Sequence, residues 1–420
     1  MNIISGLRLI AQMKLNQWKS QNEIEEIQEQ KLKDMFSYAC SHVPYYRKSL
    51  KDIGFRGMDD LQNLPIMKKE DLRLNTGSLI SDQYPKDSLK PAQTSGSSGT
   101  PLTVYHHPSE SYHGPACEIH QFTEAGIGPF DTVARIAYPR TNRHMIQKFG
   151  VYRRHFVPMK EGEKKNLEAL AKLKPKALFC NPSYLVPLAY ENLLSKDPIK
   201  IKTIFSYSEV LSKKARELLV RSFGSEVYDM YGVVETSWVA WQCEKGSMHL
   251  YSDSMVAEIS DAKGNVVPKG KQGRVLLTTL WKRSMPLLRY QTTDRSAFGS
   301  KCRCGRGLHT LKPIEGRDDD FIVMPSGRAT SAFILDICMQ SLPGVRLFQV
   351  IQEEIGSLHI KIVPIGKPPS EKAQKELIKN VHGSFPEKFK VTLEVVDSLP
   401  RGRTGKLRSV TSKVGAGIDL

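Results

Sequence analysis

Between residues 133 and 230, short apolar runs alternate with helical stretches free of breakers, and that alternation leaves few folds open to the chain. Val133 to Tyr138, Ala177 to Cys180, Thr203 to Ser206 and Glu226 to Met230 are strand-like, while Lys164 to Leu173 and Lys213 to Phe223 have helical spacing. Parallel neighbours need a long return connection, so strands punctuated by helices predict parallel sheet. The expected fold class is α/β and multi-domain, because 420 residues exceed what one core usually supports. The first 90 residues read as helical: Ile24 to Ser37 lacks a breaker, Ser41-His42-Val43-Pro44 is a stop, and Lys68 to Leu72 is a short helix. From about residue 250 the pattern turns to strands, Met255 to Ile259 and Gly273 to Thr279, around a turn at Asp261 to Gly264.

After Gly316-Arg317-Asp318-Asp319-Asp320 a compact α+β pattern restarts. Ala332 to Ser341 and Ser370 to Val381 are helix-like; Arg346 to Glu353, Ser357 to Val363 and Val391 to Val396 are strand-like. The expected division is therefore a large domain at 1–316, with a β-rich subdomain, and a small domain at 317–420.

Sixty-one Lys and Arg against 44 Asp and Glu give a charge of +17, which favours anionic partners: nucleotides, acidic carrier proteins, nucleic acid or anionic lipid. Basic residues are spread along the chain and no zinc-finger, helix-turn-helix or RNA-binding signature is present, which argues against nucleic acid as the main partner. Seven cysteines form no even disulfide framework, so a reducing cytoplasm is the expected compartment. No apolar run reaches the length of a membrane span. Residues 1–20 lack the apolar core and cleavage site of a secretory signal. Ile3, Ile4, Leu7, Ile10 and Trp18 interleaved with Arg8, Lys14 and Lys19 fit an amphipathic helix, docked on the protein's own core or on an anionic membrane surface.

Thr94-Ser95-Gly96-Ser97-Ser98-Gly99-Thr100-Pro101 is built of residues that bring backbone N–H groups and hydroxyls close to an anion. By itself such a run is more often a flexible surface loop or linker. Four segments follow it: Tyr228-Asp229-Met230-Tyr231-Gly232-Val233-Val234-Glu235, Leu288 to Asp294, Gly316 to Asp320, and Leu399 to Arg408 with Gly405-Lys406. In this order the five segments resemble the adenylate-forming superfamily of acyl- and aryl-coenzyme A ligases, specifically its phenylacetate-coenzyme A ligase-like branch. Tyr38-Ala39 and Val43-Pro44-Tyr45-Tyr46-Arg47 are similar to that branch's N-terminal pattern.

The resemblance implies an AMP-forming ligase that activates a carboxylic acid with ATP and Mg²⁺ and passes the acyl group to a thiol, foremost coenzyme A. An acyl carrier protein or an amine are alternative acceptors, and a non-catalytic nucleotide-binding scaffold is the alternative of another class. By resemblance, Thr94, Ser95, Gly96, Ser97, Ser98, Gly99 and Thr100 hold the β- and γ-phosphates, and Glu235 binds Mg²⁺. Tyr231 stacks on adenine with Ser208 and Glu209 as the opposite wall, and Asp229 and Gly232 belong to the same nucleotide-binding segment. Asp294 and Arg317 fix the ribose, Lys406 brings charge to the α-phosphate and carboxylate, and Asp319 is the hinge of the mobile small domain. Three positions depart from the superfamily pattern: Val234 replaces a hydroxyl residue, Thr293 replaces glycine, and Leu102 stands where many relatives have lysine.

Cys243, His249, Cys302 and Cys304 offer the donor types of a structural zinc site, although their spacing is not that of a zinc finger and incidental cysteines would give it too. A similar Cys and His set in the phenylacetate-ligase-like branch implies structural Zn²⁺ here. His106, His107 and His113 fit packing or surface roles; Trp238, Trp241 and Tyr184 fit either an acyl pocket or core.

Overall fold

The computed structural model describes residues 3–93, 102–137, 150–314, 316–317, 321–327, 329–331, 335, 338–339, 344–401 and 407–414. Two compact units share the chain: Met1–Asp131, Asn142–Arg154 and Tyr228–Ile314 form the first, and Thr132–Thr141, His155–Val227 and Glu315–Leu420 the second.

The first unit begins with α1 (Ile3–Asn16) and α2 (Gln21–His42). Ser20 starts α2 with a capping box: its hydroxyl accepts from the Glu23 N–H, and the Glu23 carboxylate accepts from the Ser20 N–H. The helix is longer than Ile24 to Ser37 because this cap and the Pro44 stop both lie outside that run. Pro44 then opens α3 (Pro44–Ser49), where its missing N–H costs nothing. Ile24, Gln28, Leu32, Met35 and Ala39 make the buried face of α2. Leu32, Met35 and Ala39 share a core with Leu72 of α4 (Lys69–Leu74), Val104, Leu287 and Tyr290. The antiparallel pair β1 (Lys90–Gln93) and β2 (Thr103–His106) flanks the Ser/Gly segment, whose residues lie outside the described ones. Leu102, in place of lysine, is buried in that same core. Helix α5 (His113–Glu124) is buried over most of its length.

The second unit contains the predicted alternation. In chain order come β3 (Val133–Ala137), β4 (Arg154–Pro158), α6 (Glu163–Leu173), β5 (Ala177–Cys180), α7 (Pro182–Leu194), β6 (Thr203–Tyr207) and α8 (Lys213–Phe223), strands and helices alternating from β4 onward. β3, β5 and β6 pair in parallel. Every residue of β5 is buried, as a strand with both faces covered requires.

The chain returns to the first unit along β7 (Glu226–Val233), which pairs antiparallel with β8 (Ser237–Gln242), itself next to β9 (Met248–Leu250). β10 (Met255–Ser260), β11 (Gly273–Thr279) and β12 (Tyr290–Ser296) form an antiparallel sheet, and β13 (Thr310–Leu311) pairs with β9. Val239, Leu250, Met255, Ile259, Val275 and Leu277 fill the core between these strands.

Beyond β14 (Gly316–Arg317) come β15 (Phe321–Val323), β16 (Ala329–Ser331), β17 (Val345–Gln352), β18 (Ser357–Pro364), α9 (Glu371–Ser384), β19 (Lys390–Val395) and β20 (Val410–Ser412). The sheet order is β19-β18-β17-β20, antiparallel only between β17 and β18. Ile322, Val350, Ile360, Leu377 and Val381 belong to its core. Among the described residues no helix is long and apolar enough to cross a membrane.

Candidate active site

β7 runs three residues past Met230, so Tyr231 and Gly232 stand on a strand and Glu235 in the turn to β8. That hairpin closes tightly. A Cβ on Gly232 would come within 2.9 Å of both the Ser237 carbonyl and the Trp238 ring, so packing alone demands glycine there. The Tyr231 hydroxyl donates to Asp294 Oδ2 at 2.8 Å, joining β7 to β12 and bringing two of the sequence-assigned residues together. Asp229 is on the same strand, its N–H donating to Gln242 Oε1 at 3.1 Å. Asp229, Tyr231, Lys312 and Pro313 line one small cleft of this unit.

Glu235 is buried, and its Oε1 accepts from the Tyr290 hydroxyl at 2.8 Å. Its backbone carbonyl accepts from Lys282 Nζ at 3.2 Å. Lys282 is itself buried; desolvation pulls its ammonium down to about 8, against the opposing pull of Glu110 and Glu235. Glu110 accepts from the N–H groups of Arg283 and Ser284 at 2.7 and 2.9 Å and from the Ser284 hydroxyl, fixing the loop that holds Lys282. Arg289 anchors the start of β12. It has φ of +46° and donates to Glu258, to the Gln62 carbonyl and to the Leu64 carbonyl. The sequence had not pointed to Tyr290, Lys282 or Glu110. Tyr290 lies inside the Leu288 to Asp294 motif, but nothing distinguishes Lys282 among 61 basic residues.

In the second unit, Ser208 holds φ of +73°, a left-handed conformation that costs a non-glycine residue about 1–2 kcal/mol. Strain of that kind concentrates at functional sites. The neighbouring Glu209 carboxylate accepts from Asn181 Nδ2 (2.9 Å), the Ser183 N–H (2.8 Å) and the Ser183 hydroxyl (3.0 Å), and so occupies the start of α7. Arg401 donates to the Ser183 carbonyl at 2.9 Å and lies over the Tyr184 ring. The Thr94 to Thr100 loop, Asp319 and Lys406 lie outside the described residues, and Arg317 is described only as backbone of β14.

Cys243, His249, Cys302 and Cys304 converge in the first unit, their donor atoms all within 4.8 Å of one another. The Cys243 and Cys302 sulfurs are 3.7 Å apart, and Cys304 Sγ is 3.3 Å from His249 Nε2. Tetrahedral zinc, with bonds of ~2.3 Å to sulfur and ~2.0 Å to nitrogen, wants about 3.8 and 3.5 Å for these separations. Burial pushes the Cys243 thiol up to about 12 and the His249 ring down to about 4, so the ring is a neutral donor and the thiolate needs a cation beside it. The donor set fits a zinc ion.

Arg306 extends the cluster outward: it bonds Gln17 Oε1 at 2.9 Å and the Glu124 and Glu244 carboxylates, and its guanidinium lies 4.7 and 5.1 Å from the Trp18 and Trp241 ring centres. Trp241 is core rather than pocket wall, and Tyr184 is also buried, its hydroxyl 2.6 Å from Asn166 Nδ2. His113 is packing: fully buried, stacked flat on Trp281 at 3.8 Å and bonded to the Ser254 hydroxyl at 2.8 Å.

The fold is that of adenylate-forming ligases. It superposes with a TM-score of 0.78 on a solved structure of 2-hydroxyisobutyryl-CoA ligase with a bound acyl adenylate, at 20% identity, covering 95% of this chain and 91% of that one. An anthranilate CoA ligase with anthranoyl-AMP matches at a TM-score of 0.58 and 17% identity, covering 78% and 67%. In sequence, the chain is 24% identical to the phenylacetate-coenzyme A ligase of Thermus thermophilus over 92% of its length and 96% of the relative's. It is 25% identical to that of Aromatoleum evansii, covering 82% and 78%. Residues 322–413 match the CapK C-terminal domain family. The chain is thus similar to phenylacetate-coenzyme A ligases along most of its length and shares the fold of adenylate-forming ligases.

Proposed function

We propose that this chain is an AMP-forming acid–thiol ligase. A carboxylate oxygen attacks the α-phosphorus of ATP and the bond to pyrophosphate breaks; the thiol of coenzyme A then attacks the acyl carbon of the adenylate, losing its proton as AMP leaves. The observation that carries the proposal is the pairing of Tyr231 with Asp294 and of Tyr290 with Glu235, which places in one unit two buried, tyrosine-bonded carboxylates suited to the ribose and to Mg²⁺. Similarity along nearly the whole chain to phenylacetate-coenzyme A ligases supports the acceptor.

Within that reading Glu235 holds Mg²⁺, which when bound offsets charge on the phosphates. Tyr290 aims the carboxylate, and Asp294 accepts from the ribose. The Thr94 to Thr100 loop, Ser208, Glu209 and Arg317 are assigned to the nucleotide, Lys406 to the α-phosphate and Asp319 to the hinge, all from motif order. Cys243, His249, Cys302 and Cys304 are assigned to a structural zinc ion.

Carboxylate-dependent pyrophosphate release across an acid panel, followed by mass spectrometry of products with coenzyme A, tests the function. A thioester formed from the acid that releases pyrophosphate is the expected product. An adenylate that passes only to an amine or a carrier protein would refute the acceptor and leave the activation step standing.

A further inference from the structure

Helix α1 has two apolar faces, and the fold uses one. Leu9 and Met13 enter the core with Cys117, Ile24, Trp241 and Tyr251. A Cβ on Gly6 would touch Tyr112 at 3.6 Å, which shows how closely this side lies against the segment leading into α5. The other face is left in solvent: Ile4 is 79% exposed, Leu7 60% and Leu15 72%, and in the turn that follows Trp18 is 56% exposed with one side of its ring against the Arg306 guanidinium. Ala11, also exposed, completes the row. At 100° per residue the four helical side chains Ile4, Leu7, Ala11 and Leu15 fall within an arc of about 80°, and Trp18 follows in the turn. Arg8 and Lys14 border the arc on its two sides, Lys19 follows Trp18, and no acidic residue precedes Glu23.

We propose that this face of α1 is a peripheral membrane-binding surface for anionic lipid. A basic-edged apolar stripe with a tryptophan at one end lies in the interfacial plane, its aliphatic side chains in the acyl boundary and its cations among the headgroups. Charge complementarity is complete over the helix, because all its formal charges are positive. A second copy of the chain fits less well: five side chains are a fraction of the roughly 20–30 residues a side of a stable interface. The 14-residue helix also falls short of the three to four heptads (~21–28 residues) of a coiled coil. The proposal is independent of the ligase chemistry.

The full-length protein is sedimented with vesicles of phosphatidylcholine alone and with about 30 mol% phosphatidylglycerol. Binding to the anionic vesicles is expected to exceed binding to the neutral ones about tenfold and to fall at about 0.5 M salt. Leu7→Glu with Leu15→Glu, both solvent-exposed, should lower anionic-vesicle binding at least about tenfold with unchanged circular dichroism and melting temperature. Arg8→Gln with Lys14→Gln should remove the anionic preference and keep weak binding. Three outcomes overturn the proposal: no wild-type binding to anionic vesicles, undiminished binding of the Leu7/Leu15 variant, or a concentration-dependent dimer that this variant abolishes.

Discussion

Glu235 is held by two contacts from segments far along the chain, Tyr290 on its carboxylate and Lys282 on its carbonyl. Tyr290→Phe removes one neutral donor and costs about 1 kcal/mol of stability. If Glu235 holds Mg²⁺ as proposed, the larger effect falls on the metal: Mg²⁺ titrations of pyrophosphate release should show a several-fold higher requirement with the maximal rate less affected. An unchanged Mg²⁺ requirement would detach Tyr290 from that role. His120 gives a separate residue-level test. It is buried, neither ring nitrogen is hydrogen-bonded among the described residues, and burial lowers it to about 4. The unfolded ring takes up a proton below about 6.5 and the folded ring only near 4, so stability falls as the pH drops through that window and is flat above it. Full passage costs about 3 kcal/mol. Urea midpoints of His120→Phe should therefore fall less between pH 7 and pH 4.5 than those of the wild type.

At the scale of elements, Arg306 and Gly307, just after the Cys302–Cys304 turn, hold the junction of α1 and α2. Gly307 donates its N–H to the Gln17 carbonyl at 3.0 Å, and a Cβ there would sit 1.9 Å from the Lys19 carbonyl oxygen, leaving room only for glycine. Chelation under reducing conditions should release one zinc per chain, lower the melting temperature and expose residues near Lys19 to trypsin, all reversed by added zinc. Protein purified without chelators that contains no zinc would reject the assignment.

The elements themselves were largely readable: Lys213–Phe223, Gly273–Thr279 and Ala177–Cys180 begin and end where the sequence places them, because local periodicity and breakers set their bounds. β8 was not foreseen, and β7 proved longer than Glu226 to Met230, since a hairpin closing on Gly232 depends on Trp238 packing across it. Pairings such as Glu235 with Tyr290, 55 residues apart, have no local signature. Motif order supplied Asp294 and Glu235; only the folded chain supplied Tyr290, Lys282 and Arg306.

For the molecule as a whole, the proposed reaction has two halves that one substitution should separate. If Lys406 serves the α-phosphate, Lys406→Ala abolishes carboxylate-dependent pyrophosphate release yet still transfers the acyl group from a supplied adenylate to coenzyme A. Normal pyrophosphate release by the variant would sink that role.

If Cys243, His249, Cys302 and Cys304 hold zinc as proposed, the 3.7 Å gap between the Cys243 and Cys302 sulfurs also gives the protein a redox history. With an ion between them both sulfurs are occupied as ligands; without one, a small displacement brings them to the ~2.05 Å of a disulfide. Two of the four donors would then be lost, and zinc added later would find no site. Ion loss in air thus becomes a covalent record, readable as a thiol count that drops by two from the chain's seven cysteines and recovers only when reductant precedes metal.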